Sequence, residues 1–298
     1  MAGTWSAGGN VSQTRERAGA AGTRTAGLLF GGFNSSYRNE TEEYNGTSWS
    51  AGGSLGTARR GLAGAGTQSA GLSFGGSGGN TVTEEYNGTS WSGGGALSTG
   101  RADLAGAGTQ SAGLSFGGDE LATTEEYNGT SWSAGGDLAA GTYSLAGCGT
   151  QSAGLAMGGY AGGIDNSSQE YNGTSWSAGG ALITARYRAA GAGTQDEGLV
   201  FGGSISANTA TTEEYNGSSW SSGGSMANAK RYHSGCGVQS AALSITGITD
   251  IYTAITEEYT IAAAGPANLK TYNTNLLANI KTINGNAIAN VKSLNTNT

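Results

Sequence analysis

The tryptophans of this chain form a regular series, which constrains the fold more than any other feature. All six belong to it, and successive members lie 44, 42, 41, 44 and 44 residues apart. They are Trp5, Trp49, Trp91, Trp132, Trp176 and Trp220. A repeat of about 40 to 50 residues is typical of circular or stacked arrays, whose single units are too small to bury a core alone. The repeat therefore defines the fold, and we expect function where the repeats differ.

Alignment on the tryptophans divides each unit into four short segments. A glycine-rich segment such as Ala63–Gln68 precedes one such as Ala70–Gly76, in which large and small residues alternate as in a β-strand. The third and fourth segments, such as Thr41–Tyr44 and Thr47–Trp49, flank an Asn-Gly pair. This pair predicts a hairpin with a type I′ turn, in which both central residues have positive φ. A Gln-Ser pair allows a second tight turn between the first two segments.

Four strands in each repeat are typical of a β-propeller blade. Helices are disfavoured because glycine contributes 57 of 298 residues, and each glycine inside a helix costs about 1 kcal/mol relative to alanine. In a propeller, glycine suits the innermost strands, which crowd around the axis. A stacked solenoid is the alternative.

The two ends of the repeat region predict how the ring closes. The last unit reaches Tyr259 but lacks a Trp segment, whereas Ala2–Trp5 matches the missing piece. We therefore predict an all-β fold with a six-bladed propeller over residues 1–262, in which the N-terminal strand completes the sixth blade beside Tyr259. A seventh blade would need a segment that the chain does not have.

The repeats resemble the kelch motif. A Gly-Gly pair ends the second segment, a Tyr and a Trp follow, and a basic residue comes ten positions after most tryptophans. These basic residues are Arg15, Arg59, Arg101, Arg186 and Lys230. Fewer residues separate the Tyr from the Trp than is usual in kelch repeats. The resemblance implies a kelch-like propeller with a shortened turn.

Residues 263–298 form a separate C-terminal tail, in which a short sequence repeats every 11 residues. Its apolar positions fit the stripe of a helix, whereas its many Asn and Thr residues favour extended or β structure. In either case the segment is too short to bury its apolar residues alone, so we expect the tail to be an anchor. The predicted anchor residues are Leu269, Tyr272, Ile280, Ile283, Val291 and Leu294.

Two sequence patterns resemble structural (virion) proteins of marine and cyanobacterial phages. One is the repeated Glu-Glu-Tyr-Asn-Gly-Thr-Ser-Trp, and the other is the Ile-Lys-Thr-x-Asn-Gly of the tail. The resemblance implies a virion protein made in the host cytoplasm, either a capsid decoration or a protein associated with the tail or its fibres. Its partners would be other virion proteins, bound through the C-terminal tail, and a host-surface glycan.

Charge and cysteine usage narrow the function classes. Residues 1–260 contain 21 acidic and 11 basic residues, and this acidic balance argues against nucleic-acid binding. We expect the Glu-Glu pairs, such as Glu42 and Glu43, to form a solvated belt. Cys148 and Cys236 are predicted to be free buried thiols, and no metal, cofactor, signal peptide or membrane span is expected.

Catalysis is not expected either. Galactose oxidase, a kelch-like propeller, holds copper with two histidines, whereas this chain has only His233. We interpret His233 as a structural hydrogen-bonding residue. The Glu-Glu pairs are repeated and surface-like, unlike the carboxylate pair of a glycoside hydrolase.

A binding site is expected on the face that carries the loops between second and third strands, because these loops vary. The candidate contacts are Phe33, Tyr37, Arg38, Tyr160 and Tyr252. The alternative is that the loops only connect strands. The five basic residues form a candidate ring at the channel mouth for a carboxylate or phosphate. Alternatively, they bond carbonyls or carboxylates of the adjacent blade.

These observations favour a non-enzymatic virion propeller that mediates interaction or host-surface binding. The alternatives are a carbohydrate-recognition propeller outside a virion and, less favoured, a glycan-active enzyme.

Overall fold

The structure is a computed structural model that describes residues 2–78 and 80–262, together with residues 282–283 and 286–287. The chain divides into two units, Met1–Ala262 and Ala263–Thr298. In the second unit, β27 (Thr282–Ile283) pairs with β28 (Asn286–Ala287) in antiparallel orientation. The other predictions for the tail lie outside the described residues. So do the side chains of the predicted anchor, namely Leu269, Tyr272, Ile280, Ile283, Val291 and Leu294.

The first unit is all-β, and six antiparallel four-stranded sheets form a ring, which confirms the predicted six-bladed propeller. From the axis outward, blade 1 consists of β2 (Gly19–Thr23), β3 (Ala26–Phe30), β6 (Thr41–Tyr44) and β7 (Trp49–Ala51). Blade 2 consists of β8 (Ala63–Gly66), β9 (Gly71–Phe74), β10 (Thr83–Tyr86) and β11 (Trp91–Gly93). Blade 3 consists of β12 (Ala105–Gly108), β13 (Gly113–Phe116), β14 (Thr124–Tyr127) and β15 (Trp132–Ala134).

The remaining blades follow the same order. Blade 4 consists of β16 (Ala146–Thr150), β17 (Ala153–Tyr160), β18 (Ile164–Tyr171) and β19 (Trp176–Ala178). Blade 5 consists of β20 (Ala190–Gly193), β21 (Gly198–Phe201), β22 (Thr212–Tyr215) and β23 (Trp220–Ser222). Blade 6 consists of β24 (Ser234–Val238), β25 (Ala241–Ile245), β26 (Thr256–Thr260) and β1 (Thr4–Ala7). A small hairpin of β4 (Phe33–Asn34) and β5 (Ser36–Tyr37) extends the loop of blade 1.

The N-terminal strand closes the ring as predicted. Strand β1 pairs with β26, and Trp5 lies opposite Tyr259 in the register. The innermost strands β2 and β24, from the first and last blades, also contact each other. Because the outermost strand of blade 6 comes from the other end of the repeat region, the blades are joined by backbone hydrogen bonds as well as by side-chain packing.

Small residues in the innermost strands allow neighbouring blades to approach. A Cβ atom placed on Gly64 of β8 would lie 2.4 Å from the backbone oxygen of Ala20 in β2. Real Cβ atoms do not approach a backbone oxygen so closely, so the backbones of these two blades meet only because position 64 is glycine.

The tryptophans contact the preceding blade, which explains their regular spacing. The ring of Trp91 in blade 2 packs edge-on against Phe30 of blade 1, with centroids 4.9 Å apart. Its Nε1 donates to Thr41 Oγ1, also in blade 1, at 2.9 Å. A partly buried indole needs both an apolar surface and a hydrogen-bond acceptor, and each repeat supplies the two to its neighbour.

The Glu-Glu pairs do not form a solvated belt, so this expectation was wrong. The first glutamate of the pair is buried in the five blades that have it, as Glu84 is at 5 % exposure. The second accepts a hydrogen bond from the next blade: Tyr86 OH donates to Glu43 Oε1 at 2.6 Å. Burial and this bond to Glu43 raise the pKa of Tyr86 to about 12. The acidic residues therefore connect the blades.

The third-to-fourth turn is a hairpin, as predicted, but its type differs. In blade 1 the loop has four residues, and only Gly46 has positive φ, at 88°. Asn45 instead accepts hydrogen bonds with its side-chain oxygen from the backbone N–H groups of Thr47 and Ser48, both at 2.9 Å. The asparagine caps the loop from inside rather than occupying a left-handed conformation.

The cysteines and the histidine are structural, as predicted. Cys148 and Cys236 are free and buried, and burial raises both pKa values to about 12. His233 is also buried, and its Nδ1 lies 2.8 Å from Ser244 Oγ. Burial lowers the pKa of His233, and the charge of Lys230 lowers it further, so the ring is neutral in the folded protein at neutral pH.

Candidate functional site

Two kinds of connection open on the same end of the propeller. The 2–3 loop joins the second and third strands of a blade, and the 4–1 connection joins the outermost strand to the innermost strand of the next blade. Backbone pairing links them, as between Glu16 and Phe33 or between Tyr143 and Tyr160. We call this end the loop face. The opposite end, formed by the tight 1–2 and 3–4 turns, is the turn face.

The five basic residues that follow a tryptophan by ten positions do not form an open ring at the channel mouth. They are at most 1 % exposed. Arg59 donates to Glu84 Oε1 at 2.5 Å and to Ser73 Oγ at 2.7 Å. The equivalent ion pairs are Arg15–Glu42, Arg101–Glu125, Arg186–Glu213 and Lys230–Glu257.

The proposed anion-attracting ring was therefore wrong, because each cation is buried beside a carboxylate. The alternative, bonding to carboxylates, is what the structure shows, although each partner belongs to the same blade rather than the adjacent one. Burial lowers the pKa of Arg59, and the charge of Glu84 opposes this shift. For Lys230, burial lowers the pKa to about 8 despite the charge of Glu257.

Blade 4 lacks both members of this ion pair. Thr142 stands at the position of the arginine, and Gln169 stands at the position of the glutamate. A buried charge without its partner is strongly destabilising, whereas two neutral residues avoid the cost of removing charges from water. The joint replacement identifies the pair as a structural unit of the blade.

Three of the five predicted contact residues come together on the loop face. The ring of Phe33 lies 5.9 Å from that of Tyr37 and 6.3 Å from that of Tyr252, which belongs to blade 6. The Cζ atom of Arg60, from blade 2, lies 4.6 Å from the centroid of Phe33. This aromatic cluster therefore spans three blades.

The other two predicted residues, Tyr160 and Arg38, make different contacts. Tyr160 stacks with Tyr143 of the same face at 5.3 Å and with Tyr187 of blade 5 at 5.9 Å. Arg38 is held by Glu40, whose Oε1 lies 3.3 Å from its Nη2, and by a hydrogen bond to Gln13. Arg38 is thus already paired with Glu40 and Gln13. Tyr160 belongs to a second aromatic group.

The axis on the loop face is closed by residues that the sequence analysis did not identify. Each lies twelve positions after a tryptophan and two after the buried cation, in the 4–1 connection. They are Arg17, Gly61, Asp103, Ser144, Arg188 and Tyr232, and we call them the axial ring. The backbone N–H of each donates to the carbonyl of the preceding member at 2.8–2.9 Å, which makes a closed circle of six hydrogen bonds.

All six members of the axial ring have positive φ. Gly61 has φ of 65°, whereas the five other residues have values between 51° and 59°. A non-glycine residue in this left-handed region is strained by about 1–2 kcal/mol. Because Gly61 shows that glycine satisfies the backbone here, the strained side chains at the other positions suggest a role beyond the backbone.

The axial ring, together with the residue that follows each of its members, lines a cavity of about 90 Å³. Arg17 Nη1 lies 3.4 Å from Asp103 Oδ2, and the same guanidinium stacks on Tyr232 and donates to its hydroxyl. The guanidinium of Arg188 also lies over the ring of Tyr232, with its Cζ 4.5 Å from the ring centroid. Burial raises the pKa of Asp103, and the charge of Arg17 opposes this shift.

One signal in the sequence could have revealed the axial ring. The position ten residues after tryptophan is nearly constant, whereas the position twelve residues after it holds arginine twice and glycine, aspartate, serine and tyrosine once each. Knowledge of the backbone was still needed to place this position at the axis.

Two features are absent from the described residues. Within residues 2–78 and 80–262, no group of three or more His, Cys, Asp or Glu side chains is placed to hold a metal ion. In the described part of the chain there is also no helix of the length and apolarity needed to cross a membrane.

The sequence matches no protein-family model and no curated protein.

Proposed function

We propose that the protein is a non-enzymatic recognition propeller that is carried on a phage particle and binds through its loop face. The observation that carries the binding role is the distribution of exposed apolar side chains. Among the described residues, six large apolar side chains are exposed, and five of them lie in a loop-face connection or directly beside one. These five are Tyr37, Ile164, Ile183, Ile205 and Ile251.

Exposed apolar groups gathered on one face favour an interaction role. Ile251 is 75 % exposed and Tyr37 is 49 % exposed, each in a 2–3 loop. On the turn face the exception is Val238, at 48 %. The loops that hold these side chains differ between blades, while the strands beneath them repeat, so a rigid framework carries a variable surface.

The placement on a virion is supported by the resemblance of the propeller and tail repeats to phage structural proteins. In this proposal residues 263–298 attach the chain to other virion proteins, and the loop face contacts a sugar on the host surface. Aromatic rings such as Phe33 and Tyr160 suit sugar rings, because they combine an apolar face with nearby polar groups.

A glycan array probed with the full chain tests the binding role. The double variant Tyr37→Ser/Ile251→Ser removes two exposed apolar side chains from the loop face and is expected to weaken glycan binding about tenfold or more. Val238→Ser is the matched control on the turn face and should bind like the parent. Equal binding by all three proteins, or no binding to any glycan, would contradict recognition of sugars by the loop face.

The virion placement is tested separately by mass spectrometry of purified particles. We expect the full chain in the particles and its absence when residues 263–298 are deleted. Incorporation of the truncated chain would contradict the anchoring role. Absence of the full chain from particles, combined with glycan binding, would identify a carbohydrate-recognition propeller outside a virion.

A further inference from the structure

The axial cavity contains an arginine, Arg188, that forms no ion pair with a described carboxylate. Among residues 2–78 and 80–262, Arg188 belongs to no ion pair, and its buried Nε has no hydrogen-bond partner. Its guanidinium lies over two aromatic rings, with Cζ 4.2 Å from the centroid of Tyr187 and 4.5 Å from that of Tyr232. Stacking fixes the plane of a guanidinium and leaves its N–H groups at the edge for a bidentate acceptor.

A second polar group in the same cavity also has no partner. Ser144 lines the cavity and is only 7 % exposed, and its hydroxyl makes no hydrogen bond to the described residues. A buried hydroxyl without a partner costs about 1–3 kcal/mol. Ser144 and Arg188 are consecutive members of the axial ring, since the N–H of Arg188 donates to the carbonyl of Ser144 at 2.8 Å.

The charged side chains that line the cavity limit which ligands it can bind. Asp103 also lines the cavity, and its carboxylate lies 3.4 Å from Arg17 Nη1. A dianion such as phosphate would be repelled by Asp103, whereas a single carboxylate pairs with Arg188. Hydroxyl groups next to that carboxylate would donate to Asp103. A water molecule needs about 10–15 Å³ of cavity, so 90 Å³ has room for a carboxylate and the atoms beside it.

We propose that the axial cavity binds the carboxylate of an acidic sugar, with Arg188 as the bidentate partner and Ser144 as a second donor. This inference rests on the proposed function and specifies the class of glycan. The tyrosines beside the cavity supply ring faces against which a sugar can pack. Tyr187, which stacks on Arg188, continues into Tyr160 and Tyr143, with centroid distances of 5.9 and 5.3 Å. These rings form an arc that can hold the following sugar residues.

Calorimetric titration of the full chain with methyl β-glucuronide tests the site, with methyl β-glucoside as the uncharged counterpart. We expect the glucuronide to bind at least about tenfold more tightly, the range expected for charge-assisted hydrogen bonds. Arg188→Gly should abolish this preference. The variant should fold, since blade 2 has Gly61 at the same position with the same sign of φ.

Three further variants separate the role of Arg188 from general charge and from stability. Arg188→Lys keeps the charge but not the bidentate edge, so we expect an intermediate loss of affinity. Ser144→Gly should weaken binding about threefold to tenfold, as expected for one neutral hydrogen bond. Arg24→Gln removes an arginine of the turn face, which lies between β2 and β3 and pairs with Glu258, and should leave the affinity for glucuronide nearly unchanged.

The outcomes distinguish this inference from the proposed function. If neutral glycans bind and Arg188→Gly binds them like the parent, the acidic-sugar site is overturned while recognition by the loop face stands. Inorganic phosphate or an acidic peptide that binds as tightly as the glucuronide would also overturn it. If no sugar binds and the array is silent, both proposals fail.

Discussion

Two positions in the same 4–1 connection have opposite roles, although they lie only two residues apart. The position ten residues after tryptophan holds a buried cation paired with a glutamate in five blades, as in Arg59 and Glu84. The position twelve residues after it reaches the axis, where Arg188 faces a cavity and has no carboxylate partner among the described residues. In a repeat protein, an arginine that recurs indicates structure, and one that breaks the repeat suggests function.

The largest loss of stability is expected when the ion pair at the constant position, ten residues after tryptophan, is disrupted. Glu84→Gln leaves the charge of Arg59 buried without a carboxylate partner and should lower the free energy of unfolding by about 3–5 kcal/mol. The double variant Arg59→Thr/Glu84→Gln copies Thr142 and Gln169 of blade 4 and should be clearly more stable than Glu84→Gln alone. Urea unfolding measures both. A double variant as unstable as the sum of the two single variants would show that the pair is not a unit.

A smaller loss of stability is expected when a hydrogen bond between two blades is removed. Tyr86→Phe removes the hydroxyl that donates to Glu43 Oε1 at 2.6 Å. We expect a loss of about 1–2 kcal/mol in urea unfolding, since a hydrogen bond to a charged group is stronger than a neutral one. The loop face is untouched by this variant, so glycan binding should be unchanged. An altered glycan preference would mean that the framework and the loop face are not separable.

The same tyrosines predict a loss of stability in alkali. Burial and glutamate partners raise the pKa of Tyr86, Tyr127 and Tyr171 from 10.0 to about 12. The folded state therefore keeps protons that the unfolded chain releases, and this stability, fully present below pH 10, is lost between pH 10 and 12. Lys230 has the opposite effect, because burial lowers its pKa from 10.5 to about 8. The folded state releases a proton that the unfolded chain keeps, so this residue makes stability rise with pH between pH 8 and 10.5.

Unfolding in urea at several alkaline pH values measures this dependence. We expect a shallower decline above pH 10 for Tyr86→Phe than for the parent. An equal decline in the two proteins would contradict the role given to the Tyr86 hydroxyl.

The smallest effect on stability is expected at the variable position. Arg188→Gly relieves the strain of a φ of 59° but increases the freedom of the unfolded chain, so the two effects nearly cancel, to within about 1 kcal/mol. Thermal unfolding measures the difference. A loss as large as that of Glu84→Gln would show that Arg188 is a structural residue.

Much of the framework could be predicted from the sequence, because each of its features repeats. The spacing of the tryptophans and the match of Ala2–Trp5 to the missing segment predicted six blades and the pairing of β1 with β26. The turn type at Asn45 was wrong because a side-chain cap and a left-handed asparagine leave the same Asn-Gly signature.

The site was only partly predictable. The aromatic residues Phe33, Tyr37 and Tyr252 were identified because loops vary, and the structure brings them together. For Arg59, two roles were left open because sequence spacing does not reveal burial, and the structure shows the bond to a carboxylate and not the open ring. The axial ring was missed because its members share no residue type, and only the closed circle of backbone hydrogen bonds places them around one cavity.

The most direct test measures stability and binding together in two variants. Urea unfolding and calorimetric titration with methyl β-glucuronide are performed on Arg59→Thr/Glu84→Gln and on Arg188→Gly. The account predicts that the first variant changes stability and keeps the affinity, while the second keeps stability and loses the affinity. If Arg188→Gly bound the glucuronide like the parent, or if both variants lost only stability, the division between a structural position and a recognition position would be contradicted.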